Sequence, residues 1–325
     1  MSLSLIARSA LLTLWALTPF IQMNGQTNNP LMSTIVKQHD AGLETLLARQ
    51  VTDPSSPYVG AIPDDTGLHH PGSAAALLKS AAAAYLNPDS GFHRDPALFQ
   101  RMRIAAAYLD RCQTADGNIN LLTTNFNSPP DTGFAVENVA SAARLARIHR
   151  DDVLFGLMEP FLRRAAEGLI KGGIHTPNHR WVVSAALAQL NELFPDERCV
   201  DRIDAWLAEG IDIDRHGQYI ERSTTVYNAV TDTALILMAI KLDRPELLDP
   251  VRHNLDAMAR LLHANGEAVT EISRRQDLNT RGDLRRYWFA LRTLAIRDRN
   301  GVYAAMLARS SPNGPIWPCS WSSPN

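Results

Sequence analysis

Three stretches of this 325-residue chain carry side chains whose types and spacing could do chemistry. The first reads TPNHRW over 176–181. Pro177 suits the first turn of a helix, with Asn178, His179 and Arg180 directly behind it. A helix start attracts anions through its free N–H groups and its dipole. An amide, an imidazole and a guanidinium placed there would form a carboxylate receptor. The same residues would equally serve as an Asn–His pair spent on capping and packing, and spacing alone leaves the two readings level. The second stretch, ERSTTVY over 221–227, lets Ser223 cap a helix and sets Tyr227 about one turn inside it. A tyrosine near positive charge is a competent proton shuttle, although a lone tyrosine on a helix is more often a core residue. The third, NFNSPPDTGF over 125–134, offers Asn125, Asn127 and Asp131 to sugar hydroxyls and Phe126 or Phe134 as a stacking face. Capping is the favoured task for Asp131; the asparagines stay open. His69 and His70, and Arg285, Arg286 and Tyr287, are weaker candidates for the same cleft.

These residues must be positioned by helices. Apolar residues recur at helical spacing near 33–50, 71–86, 95–113, 131–149, 151–169, 177–193, 198–209, 223–241, 245–264 and 283–309, with almost no period-two alternation. The reading is all-α. Long polar loops precede the helices that begin near Pro71, Asp131, Pro177, Ser223 and Asp283, and short charged turns link each to the next. Hairpins repeated in this way predict a solenoid or a toroid. In a toroid the loops before the inner helices gather at one end of a central cavity, and these are the loops that hold the three stretches.

Composition narrows the function. A net charge of -2 with scattered Lys and Arg gives no nucleic-acid surface. Cys112, Cys199 and Cys319 are far apart, so neither a metal spacing nor a disulfide framework can be read. No H-E-x-x-H, P-loop, G-x-S-x-G or G-x-G-x-x-G occurs. Residues 1–30 read as a leader, with an apolar stretch too short to span a bilayer. It suggests a secreted or periplasmic protein rather than a membrane one. The toroid is expected over 31–309 and an irregular Pro- and Ser-rich tail over 310–325.

GGIHTPNHRWV, followed 48 residues after His179 by the Tyr227 of HGQYIERSTTVY, resembles the heparinase II/III-like and oligoalginate-type polysaccharide lyases. The resemblance covers about residues 60–300. It implies an incomplete (α/α) toroid that in the family precedes a C-terminal β-sandwich; the chain ends where that sandwich would begin. It implies β-elimination at a uronic acid, and hence an acidic polysaccharide or oligosaccharide as partner. Asn178, with or without His179, would neutralise the carboxylate, or His179 would act as base. Tyr227 would be the acid, or both base and acid. Arg180, Trp181, Tyr219, Glu221 and Arg222 are expected to join Asn125 and Asp131 as substrate contacts. No cofactor and no metal are expected. Two rival readings are a glycoside hydrolase, with Asp131 and Asp232 as its two carboxylates, and a non-catalytic carbohydrate-binding protein.

Overall fold

A computed structural model of the protein describes residues 30–310. The expected leader and tail, with Cys319, lie outside the described residues except for Pro30 and Ser310. Eleven helices are described: α1 (Pro30–Arg49), α2 (Pro71–Leu86), α3 (Pro96–Arg111), α4 (Pro129–Ile148), α5 (Asp152–Lys171), α6 (Pro177–Leu193), α7 (Glu197–Leu207), α8 (Tyr227–Lys241), α9 (Leu248–Arg260), α10 (Trp288–Arg297) and α11 (Gly301–Arg309). Pro starts α2, α3, α4 and α6, where its missing N–H costs nothing. Asp95, Ser128, Asp151, Asp196 and Asn300 cap helix starts by accepting backbone N–H bonds.

The even-numbered helices α2, α4, α6, α8 and α10 pack each on the next in an arc, and the odd-numbered helices back them. The two sets bury different surfaces. The inner α6 is enclosed from Arg180 through Leu190, because it meets neighbours on both sides and α7 behind. The outer α7 buries only Cys199 and Ile203. Alanine dominates the inner helices, as in Ala74, Ala75, Ala81, Ala82 and Ala84 of α2 and Ala140, Ala142, Ala143 and Ala146 of α4, so the axes approach closely. Cys112 and Cys199 are free thiols, half-buried and buried. The fold is an all-α, incomplete (α/α) toroid.

Three details differ from the sequence reading. A two-stranded hairpin, β1 (Ile119–Leu121) and β2 (Asn125–Ser128), lies in the loop before α4. The stretch 283–309 is two helices, broken at Asp298-Arg299-Asn300, where Asn300 caps α11. Finally, α8 starts at Tyr227 rather than near Ser223, because residues 223–225 bond elsewhere.

A turn recurs in the loops before α2, α4, α8 and α10. At 64–68, 114–118, 214–218 and 263–267, the first residue's N–H donates to the carbonyl four residues on, and a Gly in left-handed conformation donates back. Two of these glycines seat their loops on an outer helix. A Cβ at Gly117 would stand 2.0 Å from the Arg164 carbonyl of α5, and one at Gly217 2.3 Å from the His253 carbonyl of α9.

Candidate functional site

Four of the five inner-helix loops meet at one end of the arc. The start of α6 supplies Asn178 and His179; Asn178 is buried and His179 half-buried. The Asn178 amide donates to both oxygens of Glu221, each at 2.8 Å, and its backbone N–H adds a bond of 3.1 Å. Its second amide hydrogen has Thr176 Oγ1 at 3.1 Å. The Asn178 Oδ1 is buried without a hydrogen bond. Glu221 itself is 8% exposed and also has Arg275 Nη1 at 3.5 Å.

Arg275 is the hub of the site. Its guanidinium lies 4.7 Å from the centre of the Tyr227 ring, a cation–π distance. Gln276 Nε2 donates to the Tyr227 hydroxyl at 2.6 Å. Arg286 also acts electrostatically on Tyr227. Positive charge therefore surrounds the one phenol that sequence reading singled out for proton transfer. On the other side of Arg275, burial pushes the His179 imidazole down to about 4, with the nearby His175 and Arg275 adding to the shift. His179 is neutral at physiological pH, and its Nδ1 is buried with no hydrogen bond. His175 stands edge-on at 6.0 Å from His179, and Phe134 edge-on at 6.3 Å.

The loop that brings Arg275 and Gln276 has no regular structure of its own. Asp277 holds it. That buried carboxylate accepts from Ser223 Oγ (3.0 Å), Thr225 N–H (3.0 Å), Thr225 Oγ1 (3.1 Å) and Ser273 Oγ (3.0 Å). The Thr224 N–H donates to Ser273 Oγ, and the Arg274 N–H to the Arg222 carbonyl. Ser223 Oγ also accepts from the N–H of Tyr227, the first residue of α8, but the N-cap position of that helix is Val226 and not Ser223 as expected. Arg275, Gln276 and Asp277 were not singled out from sequence. The signal available was a dense polar run, SRRQD over 273–277, in a long non-helical loop.

Several expected substrate contacts have other tasks. Trp181 is fully enclosed and donates its indole N–H to Asp212. Arg180 pairs with Glu209 at 2.8 Å and Asp212 at 2.9 Å and stacks on Trp181, so it braces α6 rather than facing a ligand. Tyr219 is 2% exposed and donates to Asp232 at 2.8 Å, behind the site. Glu221 is turned to Asn178 instead of the open cleft. Arg222 pairs with Asp214 at 3.3 Å and ties the two site loops through its carbonyl. Asp131 exchanges bonds with the capping Ser128, and Asn125 hydrogen-bonds it. Burial raises its carboxyl despite these bonds and the nearby His175. His69 stacks on Tyr58 and His70 pairs with Asp64, away from the group around Arg275. Arg285 pairs with Asp283 at the surface, and Tyr287 is enclosed. Among the described residues, no group of three or more His, Cys, Asp or Glu is arranged to hold a metal.

Similar folds are known. The chain superposes on a sugar epimerase from a ruminal bacterium, with a TM-score of 0.55, 10% identity and coverage of 86% of this chain and 85% of that one. It superposes on cellobiose 2-epimerase from Bacillus thermoamylovorans with a TM-score of 0.56, 12% identity and 86% of each chain covered. It also superposes on the Streptomyces coelicolor chondroitin AC lyase, solved with chondroitin sulphate, with a TM-score of 0.56 and 16% identity. That match covers 88% of this chain and 40% of the lyase. At these identities the likeness is one of fold. No protein-family model and no curated protein matches the chain in sequence.

Proposed function

We propose that the chain is a carbohydrate-processing enzyme, a lyase that cleaves a uronic-acid-containing glycan by β-elimination. The observation that carries this reading is Arg275, a single cation that touches Tyr227 and acts on His179. Such a cation suits a uronate carboxylate, and holding that carboxylate beside positive charge acidifies the neighbouring C5 proton. His179, neutral because of its burial, is fit to remove that proton. The C5–H electron pair then forms the C4–C5 double bond, and the C4–O bond breaks. Tyr227 returns a proton to the leaving oxygen. Where the sugar's stereochemistry puts both events on one face, Tyr227 performs both. The chondroitin AC lyase on the same fold, in complex with a sulphated polysaccharide, supports an acidic glycan as ligand.

The epimerase neighbours support a second reading. His175 beside His179 makes a pair of imidazoles that could take a proton from one face of a sugar and return it to the other. The hydrolase alternative loses a partner, since Asp232 is fully enclosed on α8 behind Tyr219 and cannot flank a glycosidic bond. The test is ultraviolet absorbance of the protein with a panel of uronate glycans, beside Tyr227→Phe. Elimination predicts rising absorbance from the conjugated product, reduced by about 10³-fold or more in the variant, the scale of lost proton transfer. A flat trace with a changed sugar stereocentre would replace the lyase reading with the epimerase one.

A further inference from the structure

The receptor at the start of α6 already contains a carboxylate, and it belongs to the chain. The Asn178 backbone N–H, the Asn178 amide and the Arg275 guanidinium all converge on Glu221. This is the set of donors that a helix start, an amide and an arginine would offer a bound carboxylate. Glu221 also fixes which way the amide faces. With the amide reversed, its oxygen would meet two carboxylate oxygens, acceptor against acceptor. The NH2 is therefore held on Glu221 and Thr176, and the Oδ1 is the amide atom left without a hydrogen bond. The amide thus has no donor left to offer a uronate carboxylate.

We propose that Glu221 is a positioning residue: it fills the anion seat of α6 permanently, orients the Asn178 amide with its oxygen unspent, and steadies Arg275 against Tyr227. The substrate carboxylate then has to be read by the side of Arg275 not turned to Glu221, with Arg286 near Tyr227, instead of by Asn178. The part that concerns catalysis rests on the lyase reading. The seat itself does not.

The variant is Glu221→Ala, which empties the seat, and the probe is formate, small enough to occupy it. Two readouts separate the claims. In thermal unfolding, formate is expected to raise the Tm of Glu221→Ala, with no comparable rise in the wild type or in a variant that also carries Asn178→Ala. In turnover of the active uronate glycan, Glu221→Ala is expected to lose about 10²-fold in kcat, the scale of misplacing a positioned group. Formate is expected to restore much of that loss, with KM changing less than kcat. Absence of a formate-specific shift in the single variant overturns the seat. Full kcat without formate overturns the positioning role. If the wild type turns over no uronate while the thermal response appears, the lyase reading falls and the seat stands. Glu221→Gln provides a folded control, because it keeps the shape while placing an amide against the Asn178 amide.

Discussion

The two ends of the helical arc are built by different rules. At the site end, loops of more than ten residues precede α2, α4, α8 and α10, with five residues before α6, and side chains hold them, as Asp277 holds Ser223, Thr225 and Ser273. At the far end, α4, α6 and α10 turn into the outer helices that follow them across three residues, and the backbone does much of the holding. In α4, α8 and α10 the turn is the same. Ala146, Ala239 and Ala295 each accept from the N–H five residues on, and Arg150, Asp243 and Arg299 between them sit in left-handed conformation at φ of 54°, 54° and 51°. One end thus concentrates buried polar bonds in its loops. The other fixes the spacing of the hairpins. A toroid can change its chemistry at one end because the other end keeps the scaffold in register.

The largest expected difference between the ends comes from Asp277. Replacing it with Ala strands the Thr225 N–H and three hydroxyls and releases the loop that carries Arg275 and Gln276. Stranded buried donors cost about 1–3 kcal/mol each when no water replaces the partner. Turnover should fall about 10²-fold or more, since the cation and the Gln276 bond both leave Tyr227. Kinetics beside a denaturant titration would check this. Unchanged kcat in a destabilised but folded Asp277→Ala would mean that the loop is scaffold and not site.

Much of the scaffold was legible because its signals are local. Pro71 and Pro177 open α2 and α6, and an unbroken helical period carries them to Leu86 and Leu193 as expected. The break between α10 and α11 was not legible. The usual mark of such a turn is Gly in the left-handed position, and here that position is Arg299. The placement of Asn178, His179 and Tyr227 at the starts of α6 and α8 was legible because helix starts have a sequence signature. Arg275 reaches Tyr227 across 48 residues of chain, a pairing that depends on how α9 and α10 close and not on any local pattern. Trp181 and Tyr219 misled for the converse reason. An aromatic next to a motif has the composition of a sugar platform, and only the packing of α6 and α8 decides that both face inward.

A smaller effect concerns pH at the site end. Burial holds the folded-state pKa of His179 at about 4, below the ordinary value of 6.5. The unfolded chain therefore takes up this proton at higher pH than the folded one. His179 adds no penalty above about pH 6.5, and stability is lost as pH falls from there toward 4. At about 1.4 kcal/mol per unit, the full loss is on the order of 3 kcal/mol. His179→Gln should flatten this part of the profile when denaturant midpoints are compared at pH 7 and pH 4.5. Parallel profiles for the two proteins would show that the imidazole is better solvated than its enclosure implies.

The smallest effect belongs to the far end, and it has the opposite sign. A residue with a Cβ in left-handed conformation costs on the order of 1–2 kcal/mol. Arg150 and Arg299 carry that cost without a hydrogen bond or ion pair among those described for their side chains. Glycine would remove the strain, while its greater freedom in the unfolded chain takes back part of the gain. Arg150→Gly and Arg299→Gly should each stabilise by about 0.5–1 kcal/mol, and together nearly additively, since the turns belong to different helices. Turnover should stay at the wild-type level, because nothing in the group around Arg275 touches either turn. A loss of activity without a loss of stability would mean that these turns tune the spacing of α4 and α10 at the site, and the functional separation of the two ends would then fail.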